Sequence, residues 1–364
     1  MKKIIISAVV VVIIASVVIL TKNNVANNNV VKIGAIMTMT GRASFLGEID
    51  KNAMEIAIKE INAKYPNKKV ILIVEDSQSD AKVAASAVSK LINIDKVDAI
   101  FVETTGPSVA VSPIAKSAGV PVIYSSFTDV PLKDNPTALK TFIDYSEVCF
   151  NYAKYLKSNN IIKVASIGDS NGLASMCADS MKVVLGESNV TVVDLMPDTD
   201  VRTEMLKLKA GEYTALVGSN YEPTMIKIMK SMNEVNYKPM FLCNTGACAT
   251  KNVKETLGVA NLTNIITFDA KVSDVFVNKY SSSYKVMTSG ELQNAAFDYN
   301  AVDDIYNAVI SCKKDDNTCF VNTIKNTKVS ESAVTSYVWK NNSLVPEMKY
   351  SKFVDGVLQE TDLK

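Results

Sequence analysis

The first constraint on chemistry in this chain of 364 residues is a missing side chain, because the sequence contains no histidine. Histidine-ligated metal sites, Ser–His and Cys–His nucleophile pairs and imidazole acid–base catalysis are therefore excluded. No Gly-rich phosphate-binding loop of Walker type is present either. We expect the protein to bind a molecule rather than to transform one, with no cofactor and no metal.

Two motifs with catalytic potential were weighed against this expectation. Residues 168–171 read Gly-Asp-Ser-Asn, similar to the nucleophile block of a GDS-type serine esterase. That chemistry uses a histidine to deprotonate the serine, so we interpret the block as the loop after a strand. The acidic pairs at 303–304 and 315–316 are adjacent in sequence, so their carboxylates diverge and are predicted to be solvated.

The six cysteines form an even set, and none has the CxxC spacing of redox or zinc sites. Six cysteines allow 15 connectivities, so we predict pairing from proximity alone. The predicted disulfides are Cys312–Cys319, Cys243–Cys248 and Cys149–Cys177. For the last two cysteines, free buried thiols remain an equal alternative.

Hydroxyl side chains follow two predicted strands. Ser108 begins a predicted helix over residues 108–118, where its hydroxyl and the free N–H groups of the first turn suit a carboxylate. Ser126 and Thr128 alternate after a predicted strand, so both can face one side. The structural alternatives are a helix N-cap for Ser108 and turn chemistry before Pro131 for the other two.

The elements that must position these groups alternate between strand and helix. Apolar strands are predicted at 31–37, 70–74, 99–102 and 120–124, and again at 163–167, 190–194, 215–217 and 239–242. Helices of 10–15 residues between strands indicate βαβ units and parallel sheets covered on both faces. A late helix at 291–310 and short strands at 337–358 follow. The fold class is therefore α/β, with two doubly wound parallel sheets.

The N-terminal segment, residues 1–30, is predicted to be a signal peptide or a membrane anchor. Lys2 and Lys3 precede an apolar or small-residue run at 4–20, and an Asn-rich stretch follows. The run is longer than the core of most signal peptides and close to a spanning helix. We favour an uncleaved anchor over a cleaved signal. In both cases the body works outside the cytoplasm, and the segment contacts the membrane.

Charge excludes another class of partner. With 39 Lys and Arg against 38 Asp and Glu, the formal net charge is +1. No excess of cations is available to displace phosphate counterions, so nucleic acid is not an expected partner. The length fits two domains or one large α/β unit.

The order of several segments resembles a known family. The segments are 31–63, with Lys-Ile-Gly-Ala-Ile-Met-Thr-Met-Thr-Gly at 32–41, then 76–80, 106–115, 120–128 and 297–302, which reads Phe-Asp-Tyr-Asn-Ala-Val. Together they are similar to the branched-chain amino-acid-binding (Leu/Ile/Val-binding) family, the type I periplasmic solute-binding proteins of ABC transporters. The resemblance covers residues 31 to about 310.

The resemblance implies two lobes joined by a hinge, with ligand in the cleft between them. Carried over, lobe I is 31–142 plus 271–344, and lobe II is 143–270 plus 345–364. It also implies a monomer that captures a small molecule and delivers it to an ABC permease. A ligand-sensing subunit for a receptor or kinase is the alternative.

The resemblance also implies cleft residues beyond the three hydroxyls: Asn171, Tyr221 and Thr245, with Leu46, Arg42 and Glu222 as further candidates. Thr245 stands where amino-acid-binding members often place an acid for the ligand's ammonium group. An unpaired buried ammonium is costly, so we expect a small carboxylate, amide or other polar metabolite at least as readily as an amino acid. Glu222 would restore an amino-acid ligand by turning inward.

The absence of histidine also predicts a pH response. No side chain has an ordinary pKa between 5.5 and 7.5, so ligand binding is expected to be nearly independent of pH in that range.

Overall fold

The computed structural model describes residues 30–41, 43–133, 135–169, 172–243, 248, 250–288, 290–327, 332–354 and 357–363. The predicted signal or anchor lies outside these ranges except for Val30, which begins the first strand. Arg42, Asn171 and Thr245 of the predicted site also lie outside them. Within the described ranges, no helix has both the length and the apolar character needed to cross a bilayer.

Fourteen strands are found in the described ranges: β1 (Val30–Met37), β2 (Lys69–Asp76), β3 (Ala99–Glu103), β4 (Val122–Ser125), β5 (Ala138–Lys140), β6 (Val164–Asp169), β7 (Val190–Leu195), β8 (Ala215–Ser219), β9 (Met240–Cys243), β10 (Ile265–Ala270), β11 (Tyr337–Lys340), β12 (Ser343–Pro346), β13 (Met348–Val354) and β14 (Val357–Thr361). They form two sheets of seven strands, in the orders β11-β12-β5-β4-β3-β1-β2 and β14-β13-β10-β9-β8-β6-β7.

Eleven α-helices of the described chain cover these sheets: α1 (Ser44–Lys64), α2 (Ala81–Lys90), α3 (Thr105–Ala118), α4 (Tyr145–Ser158), α5 (Leu173–Leu185), α6 (Val201–Ala210), α7 (Glu222–Glu234), α8 (Lys251–Leu257), α9 (Asp274–Ser283), α10 (Gln293–Ser311) and α11 (Asn317–Asn326). Helices α1 and α10 pack on one face of the first sheet, and α2 and α3 on the other. All five residues of β3 are buried, as expected for a strand covered on both faces.

The predicted α/β fold with two sheets is confirmed, with one refinement. Each sheet is parallel through its centre but ends in antiparallel strands at one edge, where β11 pairs with β12, and β13 pairs with both β10 and β14. These strands come from the C-terminal tail. Because hairpin-connected strands need only a short turn, they run antiparallel where crossover helices are absent.

Three short segments connect the two sheets: 141–144, 271–273 and Glu347. We call the elements around the first sheet the first lobe and those around the second sheet the second lobe. Strand β12 of the first sheet ends at Pro346, two residues beyond the boundary expected at 344. The residue limits given above for each lobe stay a prediction.

All three predicted cysteine pairings are present as disulfides. Cys149–Cys177 joins α4 to α5, Cys243–Cys248 closes the loop after β9, and Cys312–Cys319 joins the end of α10 to α11. The alternative of free buried thiols at Cys149 and Cys177 is therefore wrong for this structure.

Candidate functional site

A cavity of about 410 Å³ lies between the two lobes at the carboxyl ends of their strands. This is where open α/β sheets place ligands, because loops and helix N-termini converge there. Its first-lobe wall comes from α1, from the ends of β3 and β4, and from the start of α10, whereas its second-lobe wall comes from the starts of α7 and α8. We call this cavity the cleft.

The N-terminal turns of α1 give the cleft an apolar wall. Phe45, Leu46 and Ile49 line it, so the predicted residue Leu46 is at the cleft. The helix begins at Ser44, six residues before the start that apolar periodicity indicates. Gly47 permits this early start, because a Cβ there would lie 2.4 Å from the carbonyl oxygen of Thr38. Only glycine fits such a close backbone approach.

Thr104 occupies the turn between β3 and α3. Its backbone has φ 67° and ψ 152°, a region that a β-branched residue rarely adopts. Thr104 lines the cleft, and its buried Oγ1 has no hydrogen-bond partner among the described residues. Strained backbone of this kind is concentrated at ligand sites, and here it lies at the base of the cleft. Ser125, at the end of the neighbouring strand β4, also lines it.

The three hydroxyl residues predicted from sequence do not line the cleft; they support it from behind. Ser108 lies one turn inside α3, fully buried, and its Oγ donates to the Thr104 carbonyl oxygen at 2.6 Å. Ser126 Oγ donates to the carbonyl oxygen of Thr128 and accepts from its N–H. Thr128 Oγ1 accepts from the N–H of Val130. Their direct contact with ligand stays a prediction.

The second-lobe wall contains two predicted residues. Tyr221 precedes α7, and its ring meets that of Phe45 edge-to-face across the cleft, with centroids 5.4 Å apart. Glu222 lines the cleft beside it, and its Oε1 accepts from Asn252 Nδ2 at 2.6 Å. The amide of Asn252 thus holds one carboxylate oxygen of Glu222.

Behind the first-lobe wall, three carboxyl groups meet in the protein interior. Asp50 of α1, Glu103 of β3 and Asp298 of α10 are at most 1% exposed, and Glu103 also lines the cleft. Glu103 Oε2 accepts from the N–H of Thr38 at 2.6 Å and from its hydroxyl at 2.8 Å. Among the described residues, no group of Cys, Asp or Glu has the arrangement of a metal site. We call these three residues the carboxyl cluster.

Burial raises the pKa of both Asp50 and Asp298 well above the ordinary carboxyl range, and repulsion from Glu103 adds to this. Burial also raises the pKa of Glu103, but the neighbouring Asp50 and the hydrogen bonds from Thr38 oppose that shift. Asp50 and Asp298 therefore favour the protonated form more strongly than an exposed carboxyl group does, and Glu103 is the member best able to keep a charge.

A partly buried carboxyl group outside this cluster changes the expected pH response. Burial raises the pKa of Asp269, at the end of β10, to about 6. Gly290, which lines the cleft, lies against it, since a Cβ there would be 3.3 Å from Asp269 Oδ1. No side chain has an ordinary pKa between 5.5 and 7.5, but the shifted pKa of Asp269 lies in that range, and the pH dependence of binding stays a prediction.

Sequence reasoning missed most of the first-lobe wall, including Phe45, Thr104, Ser125 and Phe142. The sequence does contain one signal for the position of Thr104, which is Pro107. The Gly106-Pro107 pair is typical of a loop, but proline is also tolerated in the first turn of a helix, because N–H groups there have no intrahelical partner. Starting the helix at Thr105 would have placed Thr104, rather than Ser108, at the cleft.

Comparisons with known proteins agree with this architecture. The periplasmic binding protein family model matches residues 30–350. The Leu/Ile/Val-binding protein homolog 7 of Brucella suis biovar 1 is 24% identical over 234 residues, which are 59% of this chain and 58% of that relative. The Leu/Ile/Val-binding protein BraC3 of Rhizobium johnstonii is 25% identical over 202 residues, 53% of this chain and 55% of that protein. The chain thus spans less than three fifths of the length of these curated relatives.

Solved structures share the fold over nearly the whole chain. The branched-chain amino-acid transporter substrate-binding protein LivJ of Streptococcus pneumoniae, in complex with isoleucine, has a TM-score of 0.78 at 21% identity, covering 91% of this chain and 98% of that one. A solute-binding protein of an ABC transporter from Rhodopseudomonas palustris BisB5, in complex with 3,4-dihydroxybenzoic acid, has a TM-score of 0.77 at 19% identity, covering 92% and 96%. The chain belongs to the periplasmic binding protein family and is similar to its type I, Leu/Ile/Val-binding members.

Proposed function

We propose that the protein is an extracytoplasmic solute-binding protein that captures a small ligand in the cleft and delivers it to an ABC permease. The observation that carries the proposal is the cleft itself, about 410 Å³ in volume and lined from both lobes. That volume is within the range of small-molecule sites. The protein would act without catalysis, in keeping with relatives that are named as binding proteins.

The base of the cleft suits a carboxylate or a similar compact polar group. Thr104 and Ser125 line it, and α3 begins at Thr105 with N–H groups that have no intrahelical partner. Helix N-termini favour negative charge because of their free N–H groups and dipole. Ser108 supports this end by holding the Thr104 carbonyl oxygen.

The walls of the cleft suit the apolar or aromatic part of a ligand. This modifies the expectation of a purely polar solute. Phe45 and Ile49 face Tyr221, and Phe127, Phe142 and Met287 complete the apolar lining. Isoleucine and 3,4-dihydroxybenzoic acid, the ligands of two proteins with this fold, both combine a carboxylate with an apolar body. We propose a ligand of the same general shape.

Glu222 determines whether the cleft binds an amino acid more tightly than a carboxylic acid without an ammonium group. Its carboxylate lines the cleft on the wall opposite Thr104 and is held by Asn252. An ammonium group bound there would be paired, whereas a ligand without one would leave Glu222 solvated at the rim. We propose that Glu222 binds the ligand's ammonium group and so replaces the acid missing at Thr245.

The test uses ligands that differ only in the ammonium group. L-leucine and 4-methylpentanoate, then L-phenylalanine and 3-phenylpropanoate, are titrated calorimetrically into the parent and into Glu222→Gln. We expect the amino acids to bind the parent at least tenfold more tightly than their partners and to lose that preference in the variant. A preference unchanged by Glu222→Gln would contradict the role of Glu222. Thr104→Val should weaken all four ligands, and no binding of any carboxylate would contradict the assignment of the cleft base.

Delivery to a permease needs a separate test. A permease and an ATPase encoded beside this chain, reconstituted in vesicles, should show ligand-dependent ATP hydrolysis only when the protein is added. Stimulation of a neighbouring sensor kinase instead would favour the sensing alternative.

A further inference from the structure

Lys140 is a fully buried lysine at the end of β5, immediately before the first segment that connects the lobes. Moving an ammonium group out of water costs several kcal/mol, so a buried lysine persists only where its donors are matched. Lys140 Nζ donates to the Phe142 carbonyl oxygen at 3.1 Å and lies 3.2 Å from Asp129 Oδ1 and 3.9 Å from Asp144 Oδ2. Lys140 thus has one hydrogen bond, to the Phe142 carbonyl oxygen, and two carboxylate acceptors within ion-pair distance.

These acceptors belong to different parts of the molecule. Asp129 is in the loop between β4 and β5, in the same lobe as Lys140. Phe142 is in the connecting segment, and its ring lines the cleft and packs edge-to-face on Phe127. Asp144 is the N-cap of α4, the first helix of the second lobe, where Oδ1 accepts from the N–H groups of Ser146 and Glu147.

Only one of the three contacts therefore spans the connection. A rotation of the second lobe about this segment changes the distance from Lys140 to Asp144 and leaves the distance to Asp129 unchanged. The contact to Asp144 is also the longest of the three, so it has room to shorten as the lobes move.

The other two connections are built differently. Lys271 of the second connection and Glu347 of the third are 3.6 Å apart, and both side chains are more than half exposed. An exposed pair of this kind contributes little, because water and salt screen it. Among the described residues of the three connections, a buried charged side chain is therefore found only beside the first, where Lys140 lies.

We propose that Lys140 is a positioning residue that sets the resting angle between the lobes through its ion pair with Asp144. This proposal about Lys140 rests on the proposed function in one respect, which is that the lobes close when ligand is captured. Because Phe142 is held by the same ammonium group, the angle and the shape of the cleft wall are set together.

Asp144→Asn and Asp129→Asn are the matched test pair. Asparagine is as good an N-cap as aspartate, so Asp144→Asn keeps α4 capped and removes only the charge that pairs across the connection. Asp129→Asn removes the nearer charge from the same lysine without touching the connection. Spin labels at Lys116→Cys in α3 and Lys230→Cys in α7, both exposed, report the distance between the lobes in ligand-free protein.

We expect Asp144→Asn to shift the ratio of the two inter-lobe distance populations about fivefold, the equivalent of ~1 kcal/mol, while Asp129→Asn leaves the distribution of the parent. Thermal unfolding checks that both variants are folded. Identical distributions in Asp144→Asn and the parent would overturn the proposal. An equal shift in Asp129→Asn would also overturn it, since Lys140 would then act only on the first lobe. Because no ligand is added, this result is independent of whether any carboxylate binds.

Discussion

The two walls of the cleft are supported in different ways. The first lobe buries the carboxyl cluster and Lys140 close to its cleft-lining residues. The second lobe carries two of the three disulfides, Cys149–Cys177 and Cys243–Cys248. Buried ionisable groups fix geometry at a cost in desolvation, whereas a disulfide stabilises mainly by restricting the unfolded chain. The first wall is thus supported by buried groups whose charge depends on protonation, whereas the second lobe combines one partly buried group of this kind, Asp269, with two covalent cross-links.

The largest expected effect tests the covalent support of the second lobe. Removing Cys149–Cys177 by a double substitution to alanine frees a loop with a sequence separation of 28 residues. Loop-closure entropy then predicts a loss of about 3.6 kcal/mol in the free energy of unfolding. Urea denaturation of the purified variant measures it.

The matched control is Cys312–Cys319 in the first lobe, with a separation of 7 residues. The same relation predicts a loss of about 2.4 kcal/mol for its removal. Equal losses in the free energy of unfolding for the two pairs would contradict this comparison of the lobes. The second lobe would then gain no more stability from its longer cross-link than the first lobe gains from its shorter one.

The second prediction concerns pH. In the folded protein the pKa of Asp269 is raised to about 6. A carboxyl group whose folded pKa is raised contributes stability that is complete below the unfolded pKa of about 3.9 and is lost as pH rises through about 6. Between pH 4 and 7, the free energy of unfolding of the parent should therefore fall by about 2 kcal/mol more than that of Asp269→Asn. Urea denaturation of both proteins at each pH measures the difference.

The first lobe should lose stability in the same direction. Since burial raises the pKa values of Asp50 and Asp298, their contribution to the free energy of unfolding is also lost as pH rises above the ordinary carboxyl range. Asp298→Asn should therefore reduce the loss of stability with rising pH, measured by urea denaturation at each pH against the parent. A pH dependence of unfolding identical to that of the parent would show that Asp298 does not titrate with a raised pKa.

The comparison also explains which features could be predicted from sequence. The strands and helices of both lobes follow from short apolar runs and helical periodicity, and the cysteine pairs follow from proximity along the chain. The carboxyl cluster could not be predicted, because residues 50, 103 and 298 meet only after α1 and α10 pack on the first sheet. Asp298 in particular sits in a helix whose sequence gives no sign that its carboxyl group is buried.

Errors at the cleft have a similar origin. Tyr221 and Glu222 line the cleft, where the family resemblance and their position after a strand led us to expect them, and their contact with ligand stays a prediction. Ser108 was placed one turn too far along, since Gly106-Pro107 suggested a loop rather than the start of α3. Phe142 lies in the connecting segment, where no periodic pattern identifies its side chain as part of the cleft wall.

The smallest predicted effect lies where the two walls meet. Phe45 of the first lobe and Tyr221 of the second are in edge-to-face contact at 5.4 Å, and such pairs contribute about 0.5–1.5 kcal/mol beyond the area they bury. Because the contact crosses the cleft, it stabilises the arrangement in which the lobes approach each other. A double-mutant cycle of Phe45→Leu and Tyr221→Leu, with leucine affinity measured by calorimetry, should give a coupling of about 1 kcal/mol, or roughly fivefold. Leucine keeps apolar bulk, so each single variant removes the ring contact rather than the wall. Additive effects of the two substitutions would mean that each ring contacts the ligand independently, and that closure does not depend on their contact.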